Sequence, residues 1–110
     1  MIKLIATDLD GTFLDSKKNK PADFPEVFKE IKRRGITFAA ASGRDYNGAA
    51  MYFKDYIDDM YFICDNGASL YKKGRLISAR TMSREKYLTL LKSLYSLGIT
   101  DLLVCGVKGS

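Results

Sequence analysis

The chain has 110 residues, 46% hydrophobic and 28% charged, which suits one small soluble domain and is short for a two-domain enzyme. It contains no histidine, so Ser-His-Asp and Cys-His mechanisms are excluded and a zinc site is disfavoured. Its net charge of +5 is uneven: residues 1–67 hold 10 Lys/Arg against 11 Asp/Glu, whereas residues 68–110 hold 8 against 2. No apolar run approaches the ~20 residues of a membrane helix. The N-terminus lacks the basic, apolar and small-residue zones of a secretory signal, so a cytoplasmic protein with no membrane partner is expected. No basic stripe carries aromatic or recognition-helix features, so no nucleic-acid partner is expected either. Cys64 and Cys105 belong to no CxxC pair, lie in apolar runs and read as reduced core thiols.

Ile2, Leu4, Ile5 and Ala6 predict a buried parallel strand that ends in Asp8-Leu9-Asp10-Gly11-Thr12. Two carboxylates at one strand end are costly unless compensated. A divalent cation resolves the conflict, and Mg²⁺ suits it, because it prefers hard oxygens and accepts one or two carboxylates beside phosphate oxygens. Asp8 and Asp10 are therefore the candidate metal ligands. Asp8 reads as a nucleophile able to form an aspartyl-phosphate, and Asp10 as the general acid and base. Gly11 permits a sharp turn, and Thr12 offers a hydroxyl and an amide to an anion. The polar, aperiodic stretch 13–21 is a loop whose Lys17, Lys18 and Lys20 read as exposed lysines with no role.

From Ala22 the pattern turns helical, with Phe24, Val27, Phe28 and Ile31 on one face, Lys32, Arg33 and Arg34 near the end, and Gly35 as the stop. A second strand, 36–41, ends in Ser42-Gly43-Arg44. A right-handed βαβ crossover brings both strand ends to one sheet edge, so Asp8 and Ser42 converge. There Ser42, with the Gly43 amide, would hold the transferring phosphoryl group at a helix start, and Arg44 would contact substrate or brace the site. A short helix over 45–53 with Ala49, Ala50 and Phe53 buried follows, then an acidic connection (Asp55, Asp58, Asp59) read as a solvated helix end. Tyr61-Phe62-Ile63-Cys64 predicts a third strand, closed by Asp65-Asn66-Gly67, a turn signal. Residues 69–77 alternate as a hairpin turning at Lys73-Gly74. Ser83 caps a helix with Tyr87, Leu91, Leu94 and Tyr95 on one face, Gly98 stops it, and Leu102 to Cys105 begins another strand.

The DxDGT run at residues 8–12, followed 34 residues after Asp8 by Ser42 in Ala41-Ser42-Gly43-Arg44, resembles the haloacid dehalogenase (HAD) superfamily, and the second motif with Asn66-Gly67 resembles its Cof-type phosphatases. The resemblance implies Asp8 as nucleophile, Asp10 as acid/base, Ser42 as the second-motif hydroxyl and Asn66 as a residue near the substrate pocket. It implies an α/β fold: a three-layer Rossmann-like parallel core, incomplete, over residues 1–80, followed at 81–110 by the start of an inserted α+β cap. It also implies a Mg²⁺-dependent phosphomonoester hydrolase acting on a small phosphorylated metabolite such as a sugar phosphate, towards which the basic second part would draw substrate. The family's third-motif lysine and fourth-motif acids find no match, so the chain resembles the N-terminal portion only, and inactivity of these 110 residues alone is one expectation. In that family the first strand is central. Here it would be an exposed edge, which predicts self-association. The alternatives are a phosphomutase using the same two aspartates and a non-catalytic Rossmann-like binding or assembly module.

Overall fold

A computed structural model of the protein describes residues 1–106. Its five-stranded sheet comprises β1 (Leu4–Asp8), β2 (Thr37–Ala41), β3 (Tyr61–Cys64), β4 (Ser69–Lys72) and β5 (Arg75–Ala79), in that spatial order. The first three strands are parallel, in register Ala6 to Ala39 and Ala39 to Tyr61, and the β4–β5 hairpin extends the sheet antiparallel from β3. The hairpin turns at Lys73 (φ 53°) and Gly74 (φ 73°), the left-handed pair that a tight two-residue turn requires.

Crossovers α1 (Phe24–Arg33) and α2 (Tyr46–Ala50) cover one face of this sheet. Alternation along the strands puts Phe38, Ala40, Phe62, Cys64 and Tyr71 on that face, where they pack with Phe24, Phe28, Ile31, Ala49 and Phe53. The opposite face, with Tyr61, Ile63 and Leu70, is half-buried, so the incomplete core shows two of its three layers. An aromatic cluster centres on Phe53, which is 0% exposed, and burial in the same core pushes the Cys64 thiol up to about 12.

Several details depart from the sequence reading. Val27 is 46% exposed, because α1 turns only the narrow stripe of Phe24, Phe28 and Ile31 onto β2. Helix α2 ends at Ala50, and turns carry the chain on so that Phe53 reaches the core. The lysine-arginine cluster ending α1 is absorbed in ion pairs, Lys32 with Asp59 at 3.0 Å and Arg33 and Arg34 with Glu30 at 2.6 and 2.8 Å.

Helix α3 (Arg84–Ser96) starts on its Ser83 cap, whose Oγ accepts from the Lys86 N–H at 3.3 Å, and stops at Gly98 (φ 79°). It stands away from the sheet, and the molecule extends 53 × 30 × 24 Å. Leu91 and Leu94 are half-buried, whereas Tyr87 and Tyr95 are exposed. Residues 102–105 form no strand and Cys105 is exposed, correcting both expectations: an apolar run becomes a strand only where a neighbouring strand satisfies its backbone.

Candidate active site

The site lies at the carboxyl ends of β1 and β2. Leu9 explains why the two acids face solvent together: its side chain is 0% exposed, plugged into the core, so Asp8 and Asp10 on either side emerge on the other face. Gly11 (φ 77°) then reverses the chain, held by Thr12 N–H to Leu9 O (3.2 Å), Phe13 N–H to Asp8 O (3.3 Å) and Leu14 N–H to Leu9 O (2.8 Å). The reversal brings the Thr12 hydroxyl within 3.3 Å of Asp8 Oδ2.

The loop after β2 is welded to the one after β3. Asn66 N–H donates to Ser42 O (3.1 Å), Asp65 N–H donates to Arg44 O (2.9 Å), and Ser42 N–H donates to Ile63 O (2.9 Å). Asp65 and Asn66 both adopt left-handed φ, 53° and 55°, and Asp65 Oδ2 accepts from the Ser69 hydroxyl at 2.7 Å. Gly43 lies close to Asn66: a Cβ there would stand 2.9 Å from Asn66 Oδ1, so a side chain at this position would displace the Asn66 amide. Between the loops lies a cavity of about 340 Å³ lined by Asp8, Ala41, Ser42, Gly43, Ile63, Asn66 and Gly67. Four of the sequence candidates, Asp8, Ser42, Gly43 and Asn66, thus share one cavity. The helix begins later than the sequence implied: Asp45 caps α2, accepting from the Gly48 N–H at 2.8 Å, so Ser42 and Gly43 sit in the loop ahead of it.

Asp10 stands beside the cavity in an ion cluster. Arg44 grips both carboxylate oxygens, Nε to Oδ2 and Nη2 to Oδ1 at 2.8 Å each, and lies over the Tyr52 ring at 5.3 Å. Lys18 Nζ is 2.7 Å from Oδ1. The Arg44 hydrogen bonds, then that of Lys18, hold the Asp10 carboxyl well below the usual carboxylate range, so it is ionised at neutral pH. Sequence reading missed Lys18. Its signal is an Asx-turn in the stretch from Asp15 to Asn19, where Asp15 Oδ1 accepts from the Lys17 and Asn19 N–H groups, both at 2.8 Å.

The donor set bears on a metal. The exposed Asp8 carboxylate has lone pairs beyond its long contact to Thr12, whereas both Asp10 carboxylate oxygens are taken by cations, which leaves Asp10 its main-chain carbonyl to offer. Among the described residues no group of three or more His, Cys, Asp or Glu converges. One carboxylate and one carbonyl suit an ion that keeps most of its water, as Mg²⁺ does.

A mixed sheet with a carboxylate and a hydroxyl at adjacent strand ends over a loop-lined cavity defines the class. The haloacid dehalogenase-like hydrolase family matches residues 5–109, and the chain belongs to that family. It is 29% identical over 106 residues to the 5-amino-6-(5-phospho-D-ribitylamino)uracil phosphatase YbjI of Escherichia coli, covering 96% of this chain and 39% of the relative. It is 30% identical over 96 residues to phosphatase YwpJ of Bacillus subtilis, covering 86% and 34%. Among solved structures, SMU.1108c from Streptococcus mutans superposes with a TM-score of 0.81 at 30% identity, covering 87% of this chain and 36% of that one. A haloacid dehalogenase-like hydrolase from B. subtilis does so at 0.76 and 30%, covering 88% and 34%. The chain therefore spans 34–39% of the length of these relatives. No helix among the described residues is long and apolar enough to cross a membrane.

Proposed function

We propose that the chain is the nucleophile-bearing part of a cytoplasmic, Cof-type, Mg²⁺-dependent phosphomonoester hydrolase acting on a small phosphorylated metabolite such as a sugar phosphate. The observation that carries this reading is the Asp8 carboxylate lining one cavity with Ser42, Gly43 and Asn66, beside Asp10. The naming of the E. coli relative for a phosphorylated ribitylamino compound supports the substrate class. Asp8 attacks phosphorus, the phosphorus–oxygen bond to the alcohol breaks, and an aspartyl-phosphate forms while Asp10, which is ionised in the free protein and takes up one proton from solvent once substrate is bound, hands that proton to the leaving alkoxide. Asp10 then takes a proton from the water that releases phosphate, and its ionised state in the free protein is the form this base step needs. Ser42 and Thr12 hydroxyls and the Gly43 amide orient the phosphoryl oxygens, Asn66 borders the pocket, and Arg44 braces Asp10 or meets substrate. Mg²⁺ held by the Asp8 carboxylate and the Asp10 carbonyl would supply charge neutralisation for the phosphoryl group.

Hydrolysis of an aryl phosphate tests the reading. Any turnover these 110 residues show is expected to require Mg²⁺ and to fall at least about a hundredfold when the metal is chelated. Metal-independent turnover would overturn it.

We further propose that this 110-residue chain pairs with a second copy through β1. That strand is one edge of the sheet, its Leu4 and the preceding Ile2 are 57% and 66% exposed, and its one charge is the terminal Asp8. Antiparallel pairing about Ile5 and Ala6 would set Lys3 of each copy against Asp8 of the other. Sedimentation velocity is expected to show a concentration-dependent dimer. A monodisperse monomer with protected amides over Ile2 to Thr7 would count against it.

A further inference from the structure

We infer that Lys18 is a positioning residue: its ammonium, aimed by a turn built on Asp15, fixes the Asp10 carboxylate jointly with Arg44. The functional meaning of this rests on the phosphatase reading of Asp10.

Arg44 reaches Asp10 from the loop after β2, and its fork binds both oxygens in one plane. A carboxylate held by one long side chain can still swing with it. The Lys18 contact to Oδ1 comes from a different segment, so the two cations together oppose that movement.

Lys18 is in place for reasons independent of the ion pair, which separates it from an incidental surface contact. Its φ is 64°, a left-handed conformation that L-residues rarely adopt. Asp15 maintains it. Beyond the two N–H groups that Asp15 Oδ1 accepts, Asp15 N–H donates to Asn19 O (3.1 Å) and Lys18 N–H donates to Asp15 O (2.9 Å). The turn is itself anchored by Leu14, 1% exposed. Its neighbours do something else: Lys17 gives its N–H to Asp15, and Lys20 lies over the Tyr56 ring at 5.7 Å. A non-glycine residue in a sparsely populated conformation, held by surrounding bonds and ending on a site carboxylate, is the pattern of a functional constraint.

The test compares wild type with Lys18→Met, Lys18→Arg and Asp15→Ala, each first shown by thermal unfolding to be folded. The primary readout is the set of three-bond NMR couplings to the Asp10 β protons, which report whether its side chain keeps one rotamer. One rotamer is expected in wild type and in Lys18→Arg, and averaged couplings in Lys18→Met and in Asp15→Ala, which keeps the lysine but frees the turn. The second readout is aryl-phosphate turnover, where Lys18→Met is expected to lower kcat about tenfold with KM within about twofold, and Lys18→Arg to restore it. A single Asp10 rotamer retained in Lys18→Met overturns the inference, because Arg44 alone would then hold the carboxylate. A wild type that shows the expected couplings but no turnover supports the positioning role and agrees with the inactivity expected of these 110 residues alone, whereas turnover that needs no Mg²⁺ overturns the phosphatase reading and leaves the positioning role supported.

Discussion

Truncation of Phe53 to alanine is expected to lower the unfolding free energy by about 3–5 kcal/mol, the range for deleting a fully buried phenylalanine. The ring is 0% exposed and is ringed by Phe13 at 5.3 Å, Phe24 at 5.7 Å, Phe62 at 5.8 Å and Phe38 at 6.5 Å between centroids. Those partners come from the loop after β1, from α1, from β3 and from β2, so the cavity left behind lies where four segments meet and none can collapse into it alone. Domains of this size hold about 0.05–0.15 kcal/mol per residue. The loss is therefore a large share of the whole, and the site loop suffers with it, because Phe13 follows Thr12. Leu90→Ala supplies the contrast: Leu90 is 45% exposed on α3, and its replacement is expected to stay within about 0.5 kcal/mol. Urea unfolding of the two variants checks both values, and a Phe53→Ala loss under about 1 kcal/mol would contradict this account of the core.

The same division explains what the sequence made legible. Local signals sufficed for β3, whose ends at Tyr61 and Cys64 match the apolar run, for α1 with its glycine stop, and for the hairpin whose turn at Lys73 and Gly74 needs left-handed backbone. The convergence of Asp8 with Ser42 followed from crossover handedness, a rule of topology readable without coordinates. Periodicity failed where the outcome depends on which neighbours exist. Residues 102–105 and the faces of α3 carry apolar patterns as good as those of the core, yet Leu91, Leu94 and Leu102 are only half-buried and their neighbours are exposed, so the pattern predicts a preference and not a burial. Lys18 was missed for a different reason: its role depends on a left-handed turn that swings the side chain back to Asp10, eight residues earlier, and exposure statistics for loop lysines carry no information on that.

Asp8→Asn is expected to abolish turnover, a loss of about 10⁴-fold or more, because the amide oxygen carries no charge with which to attack phosphorus and is a weaker ligand for a hard cation. Asp10→Asn is expected to cost less, in the ~10²–10⁴ range of general acid–base catalysis. The structure separates the two variants in stability as well. Asp8 is exposed and its carboxylate meets the Thr12 hydroxyl at a long 3.3 Å, so its amide variant is expected to unfold within about 0.5 kcal/mol of wild type. Asp10 carries the three short contacts from Arg44 and Lys18, so its amide variant loses charge-assisted bonds and leaves two cations facing each other. Inactivity in a variant with unchanged stability therefore reports chemistry at Asp8, and inactivity in Asp10→Asn has to be read beside its unfolding curve. Side-by-side aryl-phosphate assays with Mg²⁺, each paired with urea unfolding, make the comparison. Retained turnover in Asp8→Asn would move the nucleophile elsewhere in the cavity, where Ser42 bears a hydroxyl; Ser42→Ala would then abolish activity that Asp8→Asn had left intact.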